Sequence, residues 1–145
     1  MLMTTTTLHN AKLPTFDYKS FKCLADNLHH EARGEGTKGL IAVANVVINS
    51  VKSSSYPASI CDVVHQQSQF SWTLEQEKVQ EDVEHTHQIY TITMLALRGT
   101  LVDVTNGATH YYSTIIKQPY WAKTMVKTAK IGKHIFYKRK QGKTK

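Results

Sequence analysis

The segment from residue 38 to residue 52 places the strongest constraint on the fold. Its apolar residues repeat at helical spacing, and further ones widen the apolar face: Leu40, Val43, Ala44, Val47 and Val51 form the stripe, and Ile41, Val46 and Ile48 widen it. A helix that is apolar on several sides must be covered on several sides, so we expect it at the centre of a domain. Thr37 is the expected N-cap, and the run Ser53–Pro57 ends the helix.

Further helices are predicted on both sides of this segment. One covers residues 17–33, with Asp17 as N-cap and Gly34 as the residue that ends it. A short helix follows Ser59 and runs to about residue 65, and a long one covers residues 77–97, with Gly99 just beyond its end.

The last third of the chain has a different character. Residues 108–113 are β-prone, and residues 124–130 and 133–138 flank a predicted hairpin turn at Ile131-Gly132. Helices followed by strands predict an α+β domain, a mainly helical lobe with a small antiparallel β-sheet after it. A chain of 145 residues with 41% hydrophobic residues suits one such domain. We expect a flexible arm over residues 1–16, the domain over 17–138 and a basic tail over 139–145.

The charge is unevenly distributed. The net charge is +7, and no acidic residue follows Asp103, whereas ten lysine and arginine residues do. This pattern favours a polyanionic partner, such as nucleic acid, an anionic membrane or an anionic cell envelope; the other interpretation is a solvated surface. No apolar run reaches the length of a membrane span, and the first residues lack the pattern of a signal peptide. Cys23 and Cys61 match no metal or redox motif, so we expect two reduced thiols in preference to a bridge.

Glu31 is the first candidate for chemistry. It lies three residues after Leu28 and seven after Leu24, at the edge of the apolar stripe of the first predicted helix. A carboxyl that is partly removed from water there, in the last turn of its helix, is less easily ionised, as a general acid requires.

The residues around Glu31 give more specific support for a catalytic role of this glutamate. The run His30-Glu31-Ala32-Arg33-Gly34-Glu35-Gly36 resembles the EARGE signature of the SleB/CwlJ family of cell-wall hydrolases, known from spore-cortex lysis and from phage lysins. Further blocks keep the family's order, at residues 39–49, 56–57, 61–64, 69–72, 107–112 and 131–137. The chain departs from the family pattern at His29 and His30, where members often carry tyrosines, and at Ser50, where they often carry arginine.

The resemblance implies a lysozyme-like fold and one essential glutamate, Glu31, that acts on the β-1,4 bond between N-acetylmuramic acid and N-acetylglucosamine in peptidoglycan. One carboxyl suffices for a lytic transglycosylase, which forms 1,6-anhydro-N-acetylmuramic acid. A hydrolytic muramidase would require a second carboxylate, for which Glu35, Asp26 and Glu75 are the candidates. No cofactor and no metal is implied.

The resemblance also implies substrate contacts outside Glu31, at Glu35, Gln69, Phe70, Ser71, Trp72, His110, Tyr111 and Tyr112. Each has an alternative interpretation. Glu35 could instead be tied to a nearby lysine or arginine, and residues 69–72 could be a loop anchored by buried aromatic rings. Tyr111 and Tyr112 would point to opposite faces of a strand, so only one would meet substrate.

Two neighbouring groups of residues are predicted to be structural. His134 is expected to hold the hairpin in place. Asn45 and Asn49, one helical turn apart on a buried helix, are expected to brace the turn that carries Glu31, because buried amides need hydrogen-bond partners.

Three other classes of function compete with this one. A catalytic zinc site is disfavoured, because His29-His30-Glu31 lacks the H-E-x-x-H spacing and because His85 and His87 diverge by about 200° on a helix. A basic module that binds nucleic acid would lack a recognised binding motif. A protein that binds the wall without cutting it would have no use for Glu31.

The partners expected are therefore peptidoglycan glycan strands, with anionic envelope polymers as a second possibility and no specific nucleic acid. We expect a monomer without a membrane span. The protein would be made in the cytoplasm without a signal peptide. It would reach the wall after release through a holin-type pore or as a virion component; a spore enzyme is the alternative.

Overall fold

The computed structural model describes residues 17–32, 34–67 and 83–141, and every structural statement below concerns these residues. Within them the chain forms four α-helices, a short 3₁₀ helix and three strands. In chain order these are α1 (Tyr18–Glu31), α2 (Thr37–Lys52), α3 (Ile60–Gln67), α4 (Val83–Leu97), β1 (His110–Ser113), the 3₁₀ helix (Tyr120–Thr124), β2 (Met125–Ile131) and β3 (His134–Arg139). The predicted α+β class and the order of helices before strands are confirmed.

Helix α2 lies at the centre, as its apolar pattern predicted. It packs against α1, α3 and α4 on its helical side and against strand β2 on the other. Leu40, Val43 and Val47 belong to the helical core, whereas Ala42 and Val46 belong to a second cluster with Phe136 of β3. All five of these α2 side chains are fully buried. The two faces of one helix thus join the helical lobe to the sheet.

Most helix ends follow the capping signals in the sequence. The Asp17 carboxylate accepts a hydrogen bond from the Lys19 backbone N–H (3.1 Å) at the start of α1. At the end of α4, the Gly99 N–H donates to the Ala96 carbonyl and the Thr100 N–H to the Leu95 carbonyl, the paired bonds of a Schellman motif. The left-handed conformation this motif requires is taken by Gly99 (φ 74°).

One predicted cap is wrong by a residue. Gly36, and not Thr37, is the N-cap of α2, and Thr37 is already helical. The reason is that the Gly36 carbonyl accepts the first helical hydrogen bond, from the Leu40 N–H at 3.1 Å. The short helix after Ser59 runs two residues further than predicted, to Gln67. Residues 77–82 of the long predicted helix lie outside the described residues.

The sheet is antiparallel throughout, with strand order β1-β3-β2. Ile131 is the last residue of β2, so the hairpin turn falls on Gly132-Lys133, one residue later than predicted. Gly132 takes a positive φ of 57° there. Arg139, expected to begin a tail, is instead the last residue of β3. Of the helices described, none is long and apolar enough to cross a membrane.

The expectation of two reduced cysteines is wrong. Cys23 of α1 and Cys61 of α3 form a disulfide, with their Cα atoms 5.3 Å apart. The bridge follows from packing, because α1 lies directly against α3 and places both side chains in the same contact. A separation of 38 residues in the chain carries no signal of this proximity.

Candidate active site

Glu31 is the last residue of α1, where the helix meets the sheet. Leu24 and Leu28 on the same helix are fully buried and fix its position against the core. The Tyr111 hydroxyl, which comes from β1, donates a hydrogen bond to Glu31 Oε2 at 3.0 Å. The structure therefore brings together two side chains that are 80 residues apart in the chain.

Tyr111 is held by aromatic neighbours on β3. Its ring centroid lies 5.0 Å from that of His134 and 5.7 Å from that of Phe136. Burial raises the pKa of the Tyr111 phenol well above its ordinary value of 10.0, and the negative charge of Glu31 and the hydrogen bond to it act in the same direction. The phenol therefore remains protonated at neutral pH and acts as a donor to the carboxylate.

Glu35 fastens the α1–α2 connection to the β2–β3 hairpin. Its Oε1 accepts a hydrogen bond from the Lys133 backbone N–H at 3.0 Å, and only 12% of its side chain is exposed. A Cβ at Gly132 would overlap the Glu35 carboxylate. The predicted alternative was a pairing with a lysine or arginine side chain, whereas the donor at Lys133 is its backbone N–H.

His134 lies beside Glu35 and against Tyr111. Its Nδ1 is 3.7 Å from Glu35 Oε1, and its side chain is buried. Burial lowers the pKa of His134 below its ordinary value of 6.5, although Glu35 and Glu31 act in the opposite direction. The ring is therefore neutral at neutral pH, and it packs against Tyr111 beside the hairpin turn.

His110 and Tyr112 are on the other face of the sheet, because side chains alternate along β1. His110 Nδ1 lies 3.1 Å from the Tyr56 hydroxyl, and its ring centroid is 5.1 Å from that of Trp121. Tyr112 stacks on Tyr137 with ring centroids 5.9 Å apart. The prediction that Tyr111 and Tyr112 face opposite ways is confirmed, and Tyr111 is the one that meets Glu31.

The remaining predicted site residues are four substrate contacts and two candidate second carboxylates. Gln69, Phe70, Ser71 and Trp72 lie outside the described residues. Asp26, a candidate second carboxylate, forms a surface ion pair with Lys22 at 3.1 Å, on the side of α1 that faces α3. Glu75 also lies outside the described residues. Of the candidate carboxylates that are described, Glu35 is the one linked to the Glu31 site, because His134 lies 3.7 Å from Glu35 and its ring packs on Tyr111, which bonds Glu31.

Asn45 and Asn49 do not brace the Glu31 turn, contrary to the prediction. Asn45 bonds the backbone of the loop before β1, donating to the Val102 carbonyl (3.0 Å) and accepting from the Val104 N–H (2.9 Å). Asn49 donates to the Ala108 carbonyl (2.9 Å) in the same loop. The amides lie on the side of α2 that faces the sheet, so they position the strand that carries Tyr111.

Sequence reasoning missed Asp103, the central residue of that loop. Its carboxylate accepts hydrogen bonds from the Thr105 N–H (2.8 Å) and hydroxyl (2.7 Å), the Gly107 N–H (3.0 Å) and the Asn49 amide (3.1 Å). Burial by itself would raise the pKa of Asp103, but these bonds, led by those from Thr105, outweigh it and lower the pKa below 3.8. The signal in the sequence that could have identified Asp103 is an aspartate two residues before a threonine and four before a glycine, a spacing typical of turns in which the aspartate accepts backbone hydrogen bonds.

A metal centre finds no support in the part of the chain that is described. Within it, no three histidine, cysteine, aspartate or glutamate side chains come together in a group that could hold an ion.

A helical lobe around a buried central helix, a small antiparallel sheet, and a carboxylate at the end of α1 held by a tyrosine of that sheet make up a lysozyme-like domain. The chain belongs to the Cell Wall Hydrolase family, whose model matches residues 34–137. That match begins three residues after Glu31, so the role of Glu31 depends on the geometry of the site and on the local motif.

Individual relatives agree with the family. The chain is 27% identical to a spore cortex-lytic enzyme of Bacillus cereus over 129 residues, which are 85% of this chain and 46% of that protein. It is 28% identical to a spore cortex-lytic enzyme of Bacillus subtilis, over 83% of this chain and 38% of that protein. The chain thus spans less than half the length of these two curated relatives.

Two solved structures share the fold. The catalytic domain of the Bacillus cereus SleB protein is similar with a TM-score of 0.68 at 27% identity, over 85% of this chain and 92% of that domain. The catalytic domain of the germination-specific lytic transglycosylase SleB from Bacillus anthracis gives a TM-score of 0.69 at 27% identity, over 86% and 98%. The region shared with these proteins is therefore their catalytic domain.

Proposed function

We propose that this chain cleaves peptidoglycan glycan strands at the β-1,4 bond from N-acetylmuramic acid to N-acetylglucosamine, as a lytic transglycosylase. The observation that carries the proposal is the placement of Glu31, at the end of α1 next to the sheet and hydrogen-bonded by Tyr111. The likeness to a lytic transglycosylase domain supports the same reaction.

In this mechanism Glu31 acts first as an acid and then as a base. Protonated Glu31 gives its proton to the glycosidic oxygen as the bond to the muramyl C1 breaks. Ionised Glu31 then takes the proton of the C6 hydroxyl, whose oxygen bonds to C1 and closes the anhydro ring. Tyr111 orients the carboxyl group through both steps, because its neutral phenol donates to Oε2.

The hydrolytic alternative has less support among the described residues. A hydrolase needs a second carboxylate that activates water or attacks the sugar. Asp26 forms an ion pair on the α3 side of its helix, and Glu35 Oε1 is bonded to the hairpin backbone. A mechanism that uses one carboxyl fits this arrangement better, and Glu35 then serves to position the hairpin beside Glu31.

The product identifies the reaction. We expect purified peptidoglycan treated with the protein to release fragments that end in the anhydro sugar, one water lighter than hydrolysed ends, by mass spectrometry. Glu31→Gln should reduce product formation by a factor of about 1,000 or more, as for loss of an essential acid. Asp26→Asn, which removes a carboxylate from the α3 side of the same helix, is the matched control and should keep its activity.

Other outcomes would change the proposal in defined ways. Hydrated reducing ends, also lost in Glu31→Gln, would make the protein a muramidase. Full activity in Glu31→Gln would remove Glu31 from the mechanism. No soluble product from several wall types, with binding retained, would indicate a wall-binding protein.

The biological setting is a separate proposal. We infer a phage lysin that reaches the wall through a holin-type pore, and the relatives that are spore cortex-lytic enzymes favour the spore cortex as the second setting. Rates on purified vegetative-cell wall and on purified cortex peptidoglycan would separate the two. Faster cleavage of cortex would contradict the lysin proposal.

A further inference from the structure

The face of the sheet opposite Glu31 carries an open pocket of about 430 Å³. It lies at the end of the sheet where β3 finishes and β2 begins. Its lining combines two cationic side chains with an indole, an imidazole, a hydroxyl and a thioether: Arg139, Lys140, Trp121, His110, Thr124 and Met125.

This pocket is separate from the candidate active site. His110 points to the face of β1 opposite Tyr111, so the sheet itself stands between the pocket and Glu31. Along β3, Arg139 is five residues from His134, which lies beside Glu35 and packs on Tyr111. At the rise of a strand this is about 17 Å.

The positive charge in the pocket is not neutralised by described residues. No acidic residue occurs in the chain after Asp103. The ion pairs found between described residues, Lys22 with Asp26 and His134 with Glu35, do not include Arg139 or Lys140.

Arg139 is also held in place. Its Nε donates a hydrogen bond to the Tyr56 hydroxyl at 3.2 Å, and its guanidinium carbon lies 5.2 Å from the centre of the Tyr56 ring. The Tyr56 hydroxyl is in turn 3.1 Å from His110 Nδ1. A guanidinium that is already fixed loses less side-chain entropy when its terminal N–H groups bind an oxyanion.

Trp121 forms a fixed aromatic wall. Its ring centroid lies 5.5 Å from that of Tyr137, at an interplanar angle of 88°, and 5.1 Å from that of His110. The side chain is half-buried, so part of the indole remains exposed to the pocket. A rigid aromatic surface beside hydrogen-bonding groups suits a ring that has one apolar face and polar edges, as a sugar does.

We propose that this pocket is a second, non-catalytic binding site for an acidic saccharide, a sugar that carries a carboxylate or a phosphate. The oxyanion binds Arg139 and Lys140 while the sugar ring packs on Trp121. The site holds the protein on an anionic wall polymer at a distance from the bond that is cut. It is independent of Glu31, so it remains even if the proposed reaction is wrong.

The test is an NMR titration of the ¹⁵N-labelled full chain, followed at the indole N–H of Trp121. The probes are N-acetylglucosamine, which is neutral, N-acetylmuramic acid, which carries a carboxylate, and N-acetylglucosamine 6-phosphate. A single-stranded oligothymidylate tests nucleic acid. The pocket variant is Arg139→Gln/Lys140→Gln. Its matched control is Lys130→Gln/Lys133→Gln, which removes the same charge at the far end of the hairpin.

We expect at least one acidic sugar to bind about tenfold more tightly than the neutral one, and the pocket variant to lose about tenfold in that affinity. The control should lose about twofold at most, from reduced long-range attraction. Preference for the carboxylate would indicate the muramyl side of peptidoglycan as the source, and preference for the phosphate a phosphate-bearing envelope polymer.

Several results would overturn the proposal. They are equal losses in the two double variants, equal binding of neutral and acidic sugars, no shift of the Trp121 indole, or oligothymidylate binding more tightly than either acidic sugar. Lys140→Gln alone is the second variant, for use if the double variant is misfolded, and an unchanged affinity there for the acidic sugars would also count against the site.

Discussion

The hydrogen bond from Tyr111 to Glu31 is a contact between one strand and one helix end, and its strength depends on the protonation of both partners. The raised pKa of Tyr111 keeps the donor protonated at neutral pH. The ring of His134 packs beside Tyr111, with the two ring centroids 5.0 Å apart. Because this ring is neutral, it brings no positive charge that would compete with Tyr111 for the Glu31 carboxylate. At the scale of single residues, the site is therefore a carboxyl group whose orientation is set by a neutral neighbour.

Removing this bond should lower activity without unfolding the protein. Tyr111→Phe keeps the ring and its packing on Phe136 but removes the hydroxyl. We expect kcat to fall about tenfold to a hundredfold, as for loss of a hydrogen bond of about 1–3 kcal/mol to a charged group. The measurement is the rate of muropeptide release. Tyr112→Phe, on the opposite face, should change that rate less than about twofold; equal losses would argue against a specific role for Tyr111.

Acid should destabilise the fold through His134, which is buried, and through His110, which is half-buried. Because burial lowers the folded-state pKa of His134 below 6.5, the unfolded chain takes up the proton first as the pH falls. The contribution of neutral His134 is therefore fully present above pH 6.5 and is lost as the pH falls through the folded-state pKa. His110 shifts in the same direction, through burial first and then the charge of Arg139.

His134→Gln should flatten this dependence in part. We expect the free energy of unfolding, from urea titrations between about pH 7.5 and pH 5, to fall less steeply in this variant than in the wild type. The His110 contribution should remain. An unchanged slope would mean that His134 titrates alike in the folded and unfolded chain.

At the scale of elements, two connections position the site. The loop before β1 is organised by Asp103 and bonded to α2 through Asn45 and Asn49. The β2–β3 hairpin is bonded to the α1–α2 connection through Glu35 and the Lys133 N–H. Both connections are polar, whereas the elements they join meet through apolar residues of the two core clusters.

The hairpin connection requires glycine at position 132 for two reasons. Gly132→Ala would strain a backbone with φ of 57° and would also overlap the Glu35 carboxylate. Gly99→Ala is the matched control, because Gly99 has a φ of 74° but no atom near the added Cβ. We expect Gly99→Ala to cost about 1 kcal/mol in the free energy of unfolding and Gly132→Ala about 1–3 kcal/mol more.

A third variant isolates the part of the Gly132→Ala cost that comes from overlap with Glu35. Gly132→Ala/Glu35→Ala removes the side chain that the new Cβ would meet. In urea unfolding, the two substitutions together should therefore cost less than the sum of the single costs. Strict additivity would show that Glu35 does not lie against the hairpin turn.

At the scale of elements, the correct predictions came from patterns within a few neighbouring residues. Asp17 and Gly99 marked helix ends because capping depends on a few neighbouring residues, whereas α1 ends at Glu31, two residues before the end predicted from Gly34. The N-cap of α2 and the hairpin turn each lie one residue away from the predicted position. Each position depends on which backbone groups form the first hydrogen bond of the element, and the types of the side chains do not determine this. The roles assigned to Asn45 and Asn49 failed because a buried amide signals that a partner exists without identifying it.

For the molecule as a whole, the disulfide is the cross-link between α1 and α3. It joins residues 38 positions apart and so restricts the unfolded chain. Since α1 carries Glu31, the bridge also fastens the helix of the candidate site to its neighbour.

Loss of the bridge should therefore lower stability. Cys23→Ser/Cys61→Ser should reduce the free energy of unfolding by about 3–4 kcal/mol on the chain-entropy model. Reductant should shift the urea midpoint of the wild type and leave that of the variant unchanged. Alkylation followed by mass spectrometry gives the thiol count, and two reactive thiols in the untreated wild type would contradict the bridge.

The sequence alone determined the central position of α2, the order of helices before strands, most helix ends and the motif that contains Glu31. These features depend on periodicity and on residues close together in the chain. Tertiary structure decided that Tyr111, and not His110 or Tyr112, meets Glu31. It also decided that Glu35 bonds the hairpin and that the two cysteines are joined. The reason is that distances between residues far apart in the chain are set by how helices and strands pack, which no local pattern encodes.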